Sequence, residues 1–331
     1  MLQKPSILVV GSFVMDLIAV TRVAPKSGET VIGMKFRTAP GGKGANQAVQ
    51  CARLGAKVTM VGRVGNDAFG GIMLQTAIDA GVDVSHVVVD TEEASGVGHI
   101  TLEVSEHGAQ NRITVCPGAN HRITLADMQW LKEQIREYDM VMLQFEIPME
   151  VNEAIAEWAH AAGVPVMINP APSAPISDKL MACATYISPN EHEAAAISGH
   201  TIRVTDEPDE ADLQAVSEVF RGKGTKNLII TLGENGSVLA NEKGLYHNPC
   251  VKMPQVADPT AAGDSFVASF CTGLTAGLSQ EQALAFASHA AAITVSQMGA
   301  MPSLPTLEQV QTLLRERNCS ELDPDILDAL K

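Results

Sequence analysis

Short apolar runs rich in β-branched residues recur along the chain, and between them apolar positions return at helical spacing. Residues 7–10, 57–61, 140–143, 164–168, 185–187 and 227–231 predict strands. The stretches 45–54, 69–80, 125–137, 148–162, 191–198 and 209–223 predict helices between them. Strands that are apolar throughout are buried on both faces. The alternation therefore predicts an α/β fold with a mostly parallel sheet covered by helices on both sides. Residues 17–37 and 96–116 break the rhythm: polar and apolar positions alternate, as in Ile100-Thr-Leu-Glu-Val104, with no helix within either. These two insertions predict a small antiparallel sheet set as a lid on a single domain spanning residues 1–331. The alanine-rich tail 283–317 reads as helical, with a break at 299–305.

Composition narrows the function classes. The chain has 331 residues, 46% hydrophobic and 18% charged, enough for a large core. Its formal net charge of -15 opposes nucleic-acid binding, which rests on neutralising phosphates, but leaves room for a locally basic nucleotide site. Cys51, Cys116, Cys183, Cys250, Cys271 and Cys319 form no C-x-x-C pair and read as reduced thiols. No signal-peptide pattern opens the chain and no apolar run reaches membrane-spanning length, so a cytoplasmic protein with no membrane partner is expected. The nine histidines, among them His86, His99, His107 and His121, show no metal-ligand spacing.

The segment Asp258-Pro-Thr-Ala-Ala-Gly-Asp264-Ser-Phe266 is the first candidate for chemistry. Pro259 biases Asp258 toward extended backbone, as at the end of a strand. Small residues then precede Asp264 at the opening of a helix. There, backbone N–H groups and the helix dipole favour an anion, and a carboxylate can take a proton from a hydroxyl. An N-capping aspartate would look much the same. The second candidate is Pro40-Gly-Gly-Lys-Gly-Ala-Asn46, where glycines permit close backbone approach while Lys43 and Asn46 offer polar contacts near a helix start. It is not a P-loop, because no Ser or Thr follows the lysine.

Together these distant segments resemble the two signatures of the ribokinase-like (PfkB) carbohydrate kinases. Gly11-Ser12 with Asp16, Gln144-Phe-Glu146, Asn169-Pro-Ala-Pro172, Pro189-Asn-Glu-His-Glu193 and Thr231-Leu-Gly-Glu-Asn-Gly236 extend the resemblance nearly end to end. It implies a three-layer α/β/α fold with a small β-sheet lid, and ATP-dependent phosphorylation of a small sugar. It implies Asp264 as the base and the N–H groups of Ala261, Ala262 and Gly263 as the anion hole. Asp16, Gly42, Lys43, Asn46 and Glu146 match sugar-binding positions. Asn190, Thr231, Gly233, Gly236, Gly263 and Ser288 (or His289 beside it) match ATP positions. Glu193 matches the residue that organises Mg²⁺ through water, although Asn190 and Glu193 also form a good capping box. Asp258, Thr260, Thr294, Gln297, Gly299 and Ser303 match a K⁺ site, several through carbonyls. A homodimer formed through the lid is implied as well.

Three positions depart from the family pattern. Val14 stands where ribokinases carry Asn, Gly98 where Ala is common, and Pro259 where Thr is usual. Val14 removes a polar group aimed at the sugar, which favours an acceptor lacking one hydroxyl. The resulting expectation is transfer of the ATP γ-phosphate to the 5-hydroxyl of D-ribose. Rivals are 2-deoxy-D-ribose, another small furanose or nucleoside and, in a different class, a non-catalytic sugar or nucleotide sensor.

Overall fold

The computed structural model describes residues 2–105, 108–204 and 207–331. His107 lies outside them. The chain runs β1 (Ser6–Val10), β2 (Val14–Thr21), β3 (Lys35–Gly41), α1 (Lys43–Arg53), β4 (Lys57–Gly65), α2 (Ala68–Asp79), β5 (Val82–Asp90), β6 (Gly96–Ser105) and β7 (Gly108–Cys116). It continues α3 (Leu131–Gln134), β8 (Met140–Gln144), α4 (Met149–Ala162), β9 (Val166–Asn169), α5 (Asp178–Cys183), β10 (Tyr186–Ile187), α6 (Glu191–Ser198), α7 (Glu210–Gly222) and β11 (Asn227–Thr231). It ends with β12 (Ser237–Asn241), β13 (Gly244–Asn248), α8 (Ala262–Ala276), α9 (Gln280–Val295) and α10 (Leu307–Glu316).

A nine-stranded sheet is ordered β13-β12-β11-β10-β9-β8-β1-β4-β5. Its pairs are parallel from β11 to β5, and the β12–β13 hairpin adds antiparallel at the other edge. Strand β1 shows why these runs are apolar throughout. Ile7 and Val9 enter one core cluster with residues of α1, α8 and α9, while Leu8 and Val10 enter another with residues of α4, α5 and α7. Helices thus cover both faces. The chain turns opposite ways on either side of β1, so the C-terminal ends of β1 and β8 open a crevice where such sheets bind ligands.

The second sheet is ordered β3-β2-β6-β7. It is mixed rather than antiparallel as expected: β2–β3 and β6–β7 are antiparallel, but β2 and β6 run parallel. The chain returns to β6 through β4, α2 and β5, and that crossover sets its direction. The sheet also reaches beyond the expected bounds, to Val14 and Gly41. Residues 125–137 are not one helix. A single α-turn, α3, is flanked by 3-10 turns, although Met128, Leu131 and Ile135 are buried as the helical spacing requires. None of the described helices is long and apolar enough to cross a membrane.

Candidate active site

Asp258 does not end a strand. The backbone from 249 to 260 is irregular, and the N–H groups of Ala257 and Asp258 both donate to Val295 O at the end of α9. Ala261 then takes a left-handed conformation, φ 62°, as N-cap of α8. That backbone is strained for a residue with a Cβ. Helix α8 begins at Ala262, so Asp264 lies within its first turn and is 6% exposed. First-turn N–H groups have no partner inside a helix. The Ala262 N–H is nonetheless engaged, donating to Pro259 O at 3.2 Å. Of the three N–H groups expected to form an anion hole, those of Ala261 and Gly263 have no backbone partner among the described residues.

Asp264 is held from the other signature. Asn46 Nδ2 donates to Oδ2 at 2.8 Å and Gln47 Nε2 to Oδ1 at 3.1 Å. Helix α1 reaches this position because Gly42 and Gly44 let it pack on the turn after β1. A Cβ on Gly42 would lie 2.6 Å from Val14 N, and one on Gly44 2.5 Å from Ser12 N. Glu146, after β8, ties the same turn together: Oε2 accepts from Ser12 Oγ at 2.5 Å and from Lys43 N at 2.9 Å.

A cavity of 560 Å³ opens between this turn and the second sheet, lined by Val14, Asp16, Gly42, Lys43, Asn46, Glu146 and Asp264, among others. All the sequence-predicted sugar residues meet there. Asp16 pairs across the sheet with Ala39 and Gly98, both small. A Cβ on Gly98 would come 2.6 Å from Asp16 Oδ1, so the glycine leaves that carboxylate its room. Burial, then the charges of Glu146, Asp258 and Asp264, pushes the Asp16 carboxyl up to about 7.

A second cavity, of 520 Å³, lies on the other side of the α8 N-terminus. Of the residues matched to ATP positions, Thr231, Gly233, Gly236, Gly263 and Ser288 line it, and Asn190 does not. His289 does not: its ring bonds Ala285 O within α9. A smaller cavity of 220 Å³ joins the two, lined by Lys43, Asn190, Glu193, Thr231, Ala261, Gly263 and Asp264 among others. Burial acts to lower the Lys43 ammonium, but Asp264, Glu146 and Glu193 outweigh it and hold it above the usual lysine value. Burial raises Glu193 despite the Asn190 N–H and Lys43. The capping box is real: Glu193 Oε2 accepts from Asn190 N, and Asn190 Oδ1 from Glu193 N. Capping and a place in the cavity hold together.

The loop around Asp258 laces onto the end of α9. Asp258 Oδ1 accepts from Thr260 N and Oγ1, and Oδ2 accepts from Gly299 N at 3.0 Å. Gln297 N donates to Thr294 O, and Ser303 Oγ donates to Ala300 O. The Thr294 hydroxyl bonds Ser265 and Ala290, and its carbonyl accepts the Gln297 N–H, so the carbonyl's second lone pair is what Thr294 could offer a cation. These are hard oxygen donors, suited to an alkali or alkaline-earth ion. Among the described residues, no group of three or more His, Cys, Asp or Glu is placed to hold a metal. A divalent ion here would keep waters and phosphate oxygens as its main ligands, as Mg²⁺ prefers.

Several residues of the site escaped the sequence reasoning. Gln47 lies beside a recognised motif, but its partners, Asp264, Asn169 and Gln144, are remote in sequence. Arg37 lines the 560 Å³ cavity from β3, and His121 from a 3-10 turn after β7. Residues Cys250, Lys252 and Val256 line the 520 Å³ cavity from an irregular loop that no periodicity marks.

Comparison with known proteins identifies the family. Residues 4–307 match the pfkB family carbohydrate kinase. A ribokinase of Bacillus subtilis is 38% identical over 309 residues, covering 93% of this chain and 99% of the relative. A deoxyribokinase of Salmonella typhi is 31% identical, covering 93% and 98%. The structure of Arabidopsis thaliana ribokinase complexed with ribose and ATP superposes with a TM-score of 0.84 at 33% identity, over 95% of this chain and 99% of that one. With both signatures brought to one carboxylate and the match spanning nearly the whole length, the chain belongs to the pfkB family of carbohydrate kinases.

Proposed function

We propose that the protein transfers the γ-phosphoryl group of ATP to the 5-hydroxyl of D-ribose. The observation that carries this is the position of Asp264 and Gly263 at the junction of the cavities: Asp264 lines the sugar and connecting cavities, Gly263 the connecting and nucleotide cavities. A sugar hydroxyl beside Asp264 thereby meets a phosphoryl group beside the α8 N-terminus. A carboxylate is too weak to deprotonate an alcohol outright. Phosphoryl transfer through a loose transition state requires little charge on the nucleophile, so Asp264 acts by positioning and late proton acceptance. The free N–H groups at Ala261 and Gly263, the dipole of α8 and the Lys43 ammonium stabilise the charge on the equatorial oxygens. Asp16 and Glu146 accept hydrogen bonds from the sugar.

Glu193, with Oε1 uncommitted to the cap, is the carboxylate that would orient waters of a Mg²⁺ ion, with Asn190 beside it; the ion when bound neutralises phosphate charge. Asp258, Ser303 and the carbonyls of Thr260, Thr294, Gln297 and Gly299 would hold K⁺. Ile113 and Val115 of the edge strand β7, about half exposed where they line the cavity under the second sheet, support covering of that sheet by a second copy of the chain. The free cysteines support a reducing, cytoplasmic setting.

A second reading, 2-deoxy-D-ribose as preferred acceptor, is favoured by Val14, which is 5% exposed and lines the sugar cavity where a polar group would meet the sugar. ADP release measured across pentoses, hexoses and nucleosides separates the readings. Turnover highest with D-ribose supports the first, and highest with 2-deoxy-D-ribose the second. No ATP consumption with any pentose would overturn both: turnover with another furanose or a nucleoside would then leave a kinase of that acceptor, and turnover with none of them a non-catalytic sensor.

A further inference from the structure

Arg37 sits on β3, an edge strand of the second sheet, opposite Ile18 of β2, and lines the sugar cavity. Its Nε is buried and finds no hydrogen-bond partner among the described residues. Its guanidinium faces Asp258: Nη2 lies 3.9 Å from Oδ2, with the side chains 27% and 13% exposed. That distance is too long for a hydrogen bond but close for opposite charges screened by little water. The same Oδ2 accepts the Gly299 N–H, so the arginine stands at the oxygen that ties the Asp258 loop to the turn after α9.

We propose that Arg37 supplies part of the positive charge that a monovalent cation would otherwise bring to Asp258, so that this enzyme depends on K⁺ only weakly. The inference rests on the reading of the Asp258 loop as a cation site. A cation there would neutralise the carboxylate and draw together the carbonyls around it. A guanidinium does the first by charge, and its donors are of the kind those carbonyls also accept. The loop leads through Thr260 into the strained Ala261 and the α8 N-terminus, so whatever holds Asp258 also holds the donors that face the transferring phosphoryl group. Arg37 comes from the second sheet, and its charge is present before any ion binds.

The test compares wild type, Arg37→Gln, Arg37→Met and Arg37→Lys, in KCl and in tetramethylammonium chloride at equal ionic strength. Two quantities are read: turnover, and the melting temperature of the nucleotide-free protein. Expected is a K⁺ stimulation below about threefold for wild type and Arg37→Lys, rising above about tenfold for Arg37→Gln. The melting temperature should rise with K⁺ more in Arg37→Gln than in wild type. Arg37→Met keeps the stem that packs at this half-buried position and serves if the glutamine variant folds poorly. An equally strong K⁺ response in wild type and both uncharged variants would overturn the role of Arg37 while leaving the cation site standing. If no protein responds to K⁺ in either readout, the cation site and the inference fall together. Arg37→Lys behaving like Arg37→Gln would show that charge is not what matters, and would also overturn it.

Discussion

Asn46 Nδ2 donates a hydrogen bond of 2.8 Å to Asp264 Oδ2 across 218 residues of sequence. The neighbouring Gln47 holds the other carboxylate oxygen, and Gln144 Nε2 donates in turn to Gln47 Oε1 at 2.6 Å. Asp264 is thus fixed from both oxygens by α1, and α1 is fixed from β8. Replacing Asp264 by Asn removes the proton acceptor while keeping the shape. Turnover should fall by about 10³-fold with melting temperature little changed. Full turnover in that variant would remove the mechanism.

Gln47 touches Asp264 but does not line the sugar cavity and is fully buried. Gln47→Met should lower kcat by about 10- to 100-fold through a misplaced carboxylate, with sugar KM nearly unchanged. It should also cost about 1–3 kcal/mol of stability, since the Asn169 and Gln144 amides lose a partner. A rise in KM with unchanged kcat would place Gln47 in binding instead.

Asp16 carries a pH signature. Its folded-state value, about 7, is above its ordinary 3.8, so the native protein holds a proton there that the unfolded chain releases. Stability from this source is complete below about pH 4, declines across pH 4 to 7, and is gone above. Asp16→Asn keeps a neutral group at every pH. Its melting temperature relative to wild type should therefore rise from pH 4 to pH 8. Sugar KM of the wild type should rise as pH falls below about 7, where an acceptor becomes protonated. A melting difference constant with pH would contradict the buried, acid-surrounded placement of Asp16.

Val14 tests the acceptor. Val14→Asn restores a polar group facing the sugar, and should shift kcat/KM from 2-deoxy-D-ribose toward D-ribose by about 10- to 100-fold. An unchanged ratio would mean that the 2-hydroxyl does not meet this residue.

Ala261 tests the strain at the α8 N-terminus. With φ at 62°, Ala261→Gly relieves about 1 kcal/mol, partly offset by the greater freedom of glycine when unfolded. Thermal stability should hold or rise slightly while kcat falls, because the donors facing the phosphoryl group are less rigidly placed. Higher activity in the glycine variant would argue against preorganisation by this residue.

The parallel sheet was legible in the chain because a strand buried on both faces must be apolar at every position, as Ile7, Leu8, Val9 and Val10 are. The two signatures were legible because their chemistry is local: glycines at a tight approach, small residues and a carboxylate at a helix start. The parallel pairing of β2 with β6 was not, since direction depends on the crossover and not on alternation. Strands β5, β12 and β13 also escaped: β5 is only half-buried along most of its length, and the β12–β13 hairpin lies on an edge.

What the amino-acid sequence determined by itself is which short segments carry the two family signatures and which strands are buried on both faces. The tertiary structure alone decided that Asn46 and Gln47 grip Asp264, that the Ala262 N–H turns to Pro259 O, and that Arg37 reaches Asp258. Backbone preference and hydrophobic period act over a few residues, whereas these contacts join residues that only the packing of α1 on α8 and of β3 against the Asp258 loop brings together.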